Sequence, residues 1–201
     1  MMTEKHEQHD QTSPEHQQLI KLPNGVTAKG VLLQRGMANL QKEAEQADFP
    51  AQTKAYLAWM NDLNGNRFGI KVTDAADHVL VRHMQFLDDA IKELAYADAP
   101  ANAELTPDDY KPARNFYVPS AGLIALVAAL QWAAQHEQQD VVVYSTHRRD
   151  LVFYQPRHQA TFLQQWAQQQ LQKLPPDFRF RIVTKLDRDA THETTKLRMQ
   201  L

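Results

Sequence analysis

The sequence predicts an α/β domain of layered strands and helices. Three observations carry that reading. Residues 121–136 (AGLIALVAALQWAAQH) form an almost wholly apolar stretch of helical length. Residues 140–145 (DVVVYS) are rich in β-branched side chains, as a buried strand requires. Residues 178–184 (FRFRIVT) alternate apolar and polar, and they follow the stop at Pro175-Pro176. A strand–helix–strand–helix–strand order with short links makes a layered α/β structure.

The elements follow in chain order. Residues 1–18 are rich in Gln, His and Glu and nearly devoid of apolar side chains. They cannot bury enough surface to offset ordering entropy, so they read as a disordered polar tail. His6, His9 and His16 are part of its composition rather than a metal site. Residues 19–33 suit a short hairpin turning at Asn24-Gly25. Residues 33–62 read as helix, interrupted at Asp48-Phe49-Pro50. Within 51–63, Ala55, Leu57, Ala58, Trp59 and Leu63 recur at roughly helical intervals, and Asn64-Gly65-Asn66 ends the run. Residues 19–65 are therefore expected to be a mainly helical N-terminal extension, and residues 66–201 the main domain.

Residues 67–73 (RFGIKVT) predict a strand ending at Asp74. Residues 77–97 carry two patterns. Val79, Val81 and His83 alternate, whereas Val79, His83, Phe86, Ala90, Ile91 and Leu94 follow helical spacing, so helix is expected from at least Phe86. Residues 98–113 are a Pro- and Asp-rich loop. Residues 114–118 suggest a short strand, 120–136 a helix with Pro119 at its start, and 159–174 a Gln-rich amphipathic helix. In that last helix Phe162, Leu163, Trp166 and Leu171 are expected in the core. The strand over 178–184 is expected to expose a basic face through Arg179 and Arg181, and a terminal helix to start near Thr191.

Composition excludes several chemistries. The chain has no cysteine, so disulfides, thiol nucleophiles and cysteine-ligated zinc are ruled out. Residues 1–18 carry no apolar h-region, so no signal peptide is expected, and no run is expected to supply the roughly 18 apolar residues of a membrane span. A cytoplasmic protein fits these features. No glycine-rich phosphate loop, nucleophile elbow or His-Glu-x-x-His helix is present, and six glycines are few for a nucleotide cradle. Charge is segregated along the chain: residues 74–113 carry net −6 and residues 146–201 net +5. The basic segment points to a phosphate-bearing partner.

Several short motifs resemble the ribonuclease H-like superfamily. Ala121-Gly122-Leu123-Ile124-Ala125-Leu126 is similar to that family's helix motif Ala-Glu-aromatic-x-Ala-Leu. Val143-Tyr144-Ser145-Thr146 is similar to its Val-Tyr-Ser-Asp strand end. Residues 188–197 (RDATHETTKL) are similar to Arg-Glu-x-Asn-x-x-Ala-Asp-x-Leu. Upstream, Val72-Thr73-Asp74-Ala75-Ala76 looks like the first strand's Thr-Asp-Gly/Ala turn. The resemblance covers about 90 residues well and residues 67–113 poorly. It implies a mixed sheet flanked by helices, with three antiparallel strands before the first helix, and four carboxylates holding two Mg²⁺ ions for phosphodiester hydrolysis. The later three acids fall on Gly122, Thr146 and Thr195, none of which carries a carboxylate. Only Asp74 remains as a metal candidate, so the resemblance implies a fold whose nuclease activity is lost, with no cofactor.

Three functions follow from these residues. The first is a non-catalytic ribonuclease H-like domain that binds RNA or DNA through Arg148, Arg149, Arg179, Arg181 and Arg188, with Arg157 and the loop residue His147 nearby. The second is a metal-dependent nuclease with a displaced acid set, in which Asp74, Asp187, Asp189, His192 and Glu193 rebuild a Mg²⁺ or acid–base site. Acids at a helix start also serve as caps. The third is a protein-interaction domain using the N-terminal extension and the acidic 74–113 segment. Asp77, His78 and His83 have no spacing that favours metal.

Overall fold

A computed structural model describes residues 36–112, 117–145 and 162–201. The tail at 1–18, the hairpin at 19–33, and Thr146, His147, Arg148, Arg149 and Arg157 lie outside the described residues. The elements are helix α1 (Met37–Gln46), strands β1 (Thr53–Asp62), β2 (Gly65–Asp74) and β3 (Val79–Phe86), helices α2 (Leu87–Asp98), α3 (Pro107–Tyr110) and α4 (Tyr117–Gln135), strand β4 (Val141–Tyr144), helix α5 (Phe162–Gln172), strand β5 (Phe180–Val183) and helix α6 (Arg188–Met199).

The five strands make one sheet in the order β3-β2-β1-β4-β5. β1, β2 and β3 pair antiparallel, whereas β4 runs parallel to β1 and β5 parallel to β4. Three antiparallel strands thus precede the α2–α4 helical connection, and two parallel strands follow it. This α/β arrangement, with three antiparallel strands first, is the one that the sequence resemblance implied.

Local chemistry explains the hairpin at the sheet's centre. Asp62 pairs with Gly65, leaving a two-residue turn in which the Asn64 amide donates to Asp62 Oδ1 at 2.8 Å. Gly65 sits at φ 114°, in the region where a side chain is strained. The second hairpin turns through Asp74 to His78, with Asp77 at φ 69° and its carboxylate 2.8 Å from Lys54 Nζ.

The sheet is covered on both faces. Ala55, Leu57, Phe68, Ile70, Val72, Val141, Val143, Phe180 and Ile182 are buried in one cluster with residues of α2, α4 and α5. On the opposite face Tyr56 and Ala58 pack with Ala190 and Leu197 of α6, and Val142 packs with Ala47 and Phe49 after α1.

Several expectations are corrected. Residues 51–63 are not a helix, because most of this stretch is β1, the central strand. It is buried from both sides, so its pattern of inward residues is nearly continuous and shows no alternation. The sheet therefore runs through the boundary expected at 65–66. Tyr117 and Val118 open α4 rather than end a strand, and 114–116 lie outside the described residues. Finally, α4 is long and apolar enough by composition to cross a membrane, although no such run was expected; in this fold it is the core helix, packed on β1 and β2. The loop at 98–113 also contains α3, closed by a reciprocal Thr106–Asp109 capping box.

Candidate functional site

One group of polar side chains meets where α6 crosses the sheet. Lys71 points from β2 towards α6 and is 8% exposed. A lysine that deep stays charged only when a carboxylate meets it, and Glu193 of α6 does so, accepting a hydrogen bond from Lys71 Nζ. That hydrogen bond, more than the added charge of Lys71 and Lys196, holds the Glu193 carboxyl below the usual range. Beside the pair, Tyr56 of β1 and Tyr144 of β4 stack with ring centroids 5.0 Å apart, and the Lys71 ammonium lies 5.5 Å from the Tyr56 ring centre. Burial pushes both phenols up, and for Tyr56 the negative charge of Asp77 adds to it. Both hydroxyls therefore remain neutral donors at neutral pH.

The acids singled out in the sequence do not gather here. Asp74 was matched to a turn on the family's first strand, but it ends β2, the second strand, opposite Thr53. The first strand is β1, whose only acid, Asp62, lies at the hairpin end. Asp74 is a turn residue: it accepts from the His78 amide and from His78 Nδ1, each at 2.9 Å, and these bonds lower its pKa. Asp187 is the N-cap of α6 and accepts from the Ala190 amide at 2.8 Å. Asp189 and His192 are exposed on that helix. Gly122 is buried in α4 and Thr195 is exposed on α6. Among the described residues, no three His, Asp or Glu side chains come together as a metal would need. The described residues thus do not fit a Mg²⁺ pair, which demands several unencumbered carboxylates.

The basic surface is also rearranged. Arg179 is not a bare cation: its Nε and Nη2 both donate to Asp140, and its guanidinium lies 4.9 Å from the centre of the Phe49 ring. The bond to Asp140 raises its pKa further. Arg181 is half-buried, 5.8 Å from the same ring. Arg188, in the first turn of α6, remains exposed. Its neighbours on the helix surface four and eight residues on, His192 and Lys196, are exposed as well, as is Lys185 before the helix.

Sequence reasoning missed Lys71, Tyr56 and Tyr144. One signal was present: a lysine between Ile70 and Val72 in an otherwise apolar strand asks for a buried partner. Which acid supplies it was not legible, since Glu193 lies 122 positions away.

No family model matches the sequence, and no curated protein matches it. Among solved structures, the chain is similar to ribonuclease H1 from the halophilic archaeon Halobacterium salinarum NRC-1, with a TM-score of 0.43 and 13% identity over 72% of this chain and 92% of that one.

Proposed function

We propose that this chain is a non-catalytic ribonuclease H-like domain that binds nucleic acid without cutting it. One observation carries the reading: the acid that α6 turns towards the sheet, Glu193, is already neutralised by Lys71. An internal ammonium takes the role a metal would have, and an ammonium neither activates water nor stabilises a leaving oxygen as a divalent ion does. Binding is assigned to the exposed side chains of Lys185, just before α6, and of Arg188, His192 and Lys196 along it, together with the net +5 of residues 146–201. Such contacts read phosphate rather than base sequence.

The test is a fluorescence anisotropy titration against duplex DNA, an RNA–DNA hybrid and single-stranded RNA, paired with a cleavage assay in Mg²⁺ and in Mn²⁺. The expected result is binding at low salt that weakens steeply as salt rises, with every substrate left intact. No binding at low salt removes the proposal's binding half. Metal-dependent cleavage abolished by Asp187→Asn or Asp189→Asn would instead establish the displaced-acid nuclease.

A further inference from the structure

The second half of α6 meets β2 at two places. Glu193 lies over Lys71, and the Leu201 that follows the helix lies over Gly69 and Arg67. The two spacings match: eight residues of helix rise about 12 Å, and four residues of strand about 13 Å. An unbent helix can therefore make both contacts at once. Gly69 makes room for the second. A Cβ placed there would lie 2.9 Å from Leu201 Cδ2, inside van der Waals contact, and 3.3 Å from Met84 Cγ. A glycine inside a strand weakens it, and its use is to let another group approach closely. Leu201 fills the space and packs against the cluster of Tyr56, Ala58, Ala190 and Leu197. Arg67 completes the seat by donating from Nη1 to the Leu201 oxygen. Its guanidinium is held from two other sides, with Asp62 Oδ2 3.6 Å from Nη2 and the Phe86 ring centre 5.2 Å away.

We propose that Leu201 is a positioning residue for the nucleic-acid face, a role that rests on the function assigned to α6 above. The cations of that face, Arg188, His192 and Lys196, stand about 6 Å apart along the helix axis. Lys196 stays 56% exposed while lying 3.4 Å from Glu193 Oε1. The first half of the helix is secured without Leu201: Asp187 caps it, Ala190 is buried and Glu193 meets Lys71. Beyond Glu193 the buried residues of the helix are Thr194 and Leu197. The Thr194 hydroxyl donates only to carbonyls of its own helix, those of Ala190 and Thr191. A last turn anchored by so little frays. Seating Leu201 over Gly69 closes that turn on the sheet. Lys196 is then held in line with Arg188 and His192, so that the three meet phosphates together.

Two variants unseat Leu201 from opposite sides. Leu201→Ala removes the side chain, and Gly69→Ala fills its seat. Hydrogen exchange on the free chain is expected to show amide protection over Thr194 to Met199 falling about tenfold in each variant, while Thr191 to Glu193 keep theirs. The double variant is expected to be no worse than either single one, because both changes remove the same contact. In an anisotropy titration on duplex DNA, each variant should flatten the slope of log K against log salt by about 0.9, the loss of one phosphate contact. Lys196→Ala should flatten it equally, and adding Leu201→Ala to Lys196→Ala should flatten it no further. A lower melting temperature with unaltered exchange and slope marks a contact that is only structural and overturns the proposal. Additive losses in the Gly69→Ala/Leu201→Ala pair overturn it as well, since Gly69→Ala then acts through Met84. A native chain that binds no duplex at low salt removes the function assigned to α6 and the positioning role with it. Exchange on the free chain then still shows whether Leu201 holds the helix, which keeps the two failures apart.

Discussion

Lys71 is 8% exposed, with one carboxylate and one aromatic ring as its polar surroundings. Removing one partner of such a pair costs more than the pair contributes, because the other charge is left poorly solvated. Glu193 keeps a quarter of its side-chain exposure, which moderates that cost. Lys71→Met is expected to destabilise the fold by about 1–3 kcal/mol, measured by urea unfolding. The pH dependence gives a second readout. The folded carboxyl of Glu193 has a depressed pKa, so its contribution is fully present above the ordinary carboxylate value. It is lost as pH falls through the depressed one. The melting temperature of the native protein should therefore drop on the acid side, below about pH 4. In Lys71→Met that part of the drop should vanish. An unchanged acid limb in the variant would show that Glu193 gains nothing from Lys71. A buried lysine was visible in the sequence; its partner was not, because fixing it required knowing how α6 crosses β2.

Among the elements, the helices were largely legible and the central strand was not. α4, α5 and α6 were expected close to where they lie, since their apolar spacing is set by the core they face. β2 and β5 were legible through their pattern and their stops. β1 failed because Ala55, Leu57, Ala58 and Trp59 combine good helix formers with burial on both faces, and only tertiary pairing decides such a segment. β5 misled differently. Its alternation was read correctly, but the polar side was assigned to solvent, whereas Arg179 clamps the start of β4 through Asp140. Asp140 is 7% exposed and sits at φ 49°. Arg179→Ala is expected to cost about 3 kcal/mol, because it strands a buried carboxylate. Arg188→Ala, on a solvent-facing turn, should change stability by less than about 0.5 kcal/mol. Thermal denaturation of the two variants separates these roles. Equal, small losses would mean that the Arg179–Asp140 clamp contributes nothing beyond a surface ion pair.

At the scale of the whole molecule, the charge segregation in the sequence becomes a polarity across the sheet. The net −6 segment builds β3, α2 and α3 at one edge, and the net +5 segment contributes β5 at the other edge and α6 across the central strands. A polyanion should approach the β5 and α6 side and be repelled from the β3 edge. Salt dependence makes this measurable, because each phosphate neutralised by a protein cation releases counterions. On duplex DNA the slope of log K against log salt changes by about 0.9 per contact. Arg188→Ala is therefore expected to weaken binding on every sequence alike and to flatten the slope by about 0.9. Asp89→Asn, exposed at the start of α2, removes a repulsive charge at the far edge and should leave the slope unaltered. If Asp89→Asn shifts the slope as much as Arg188→Ala does, nucleic acid contacts the acidic edge and the polarity of the surface does not direct binding. If only Arg188→Ala shifts it, the basic side is the contact face.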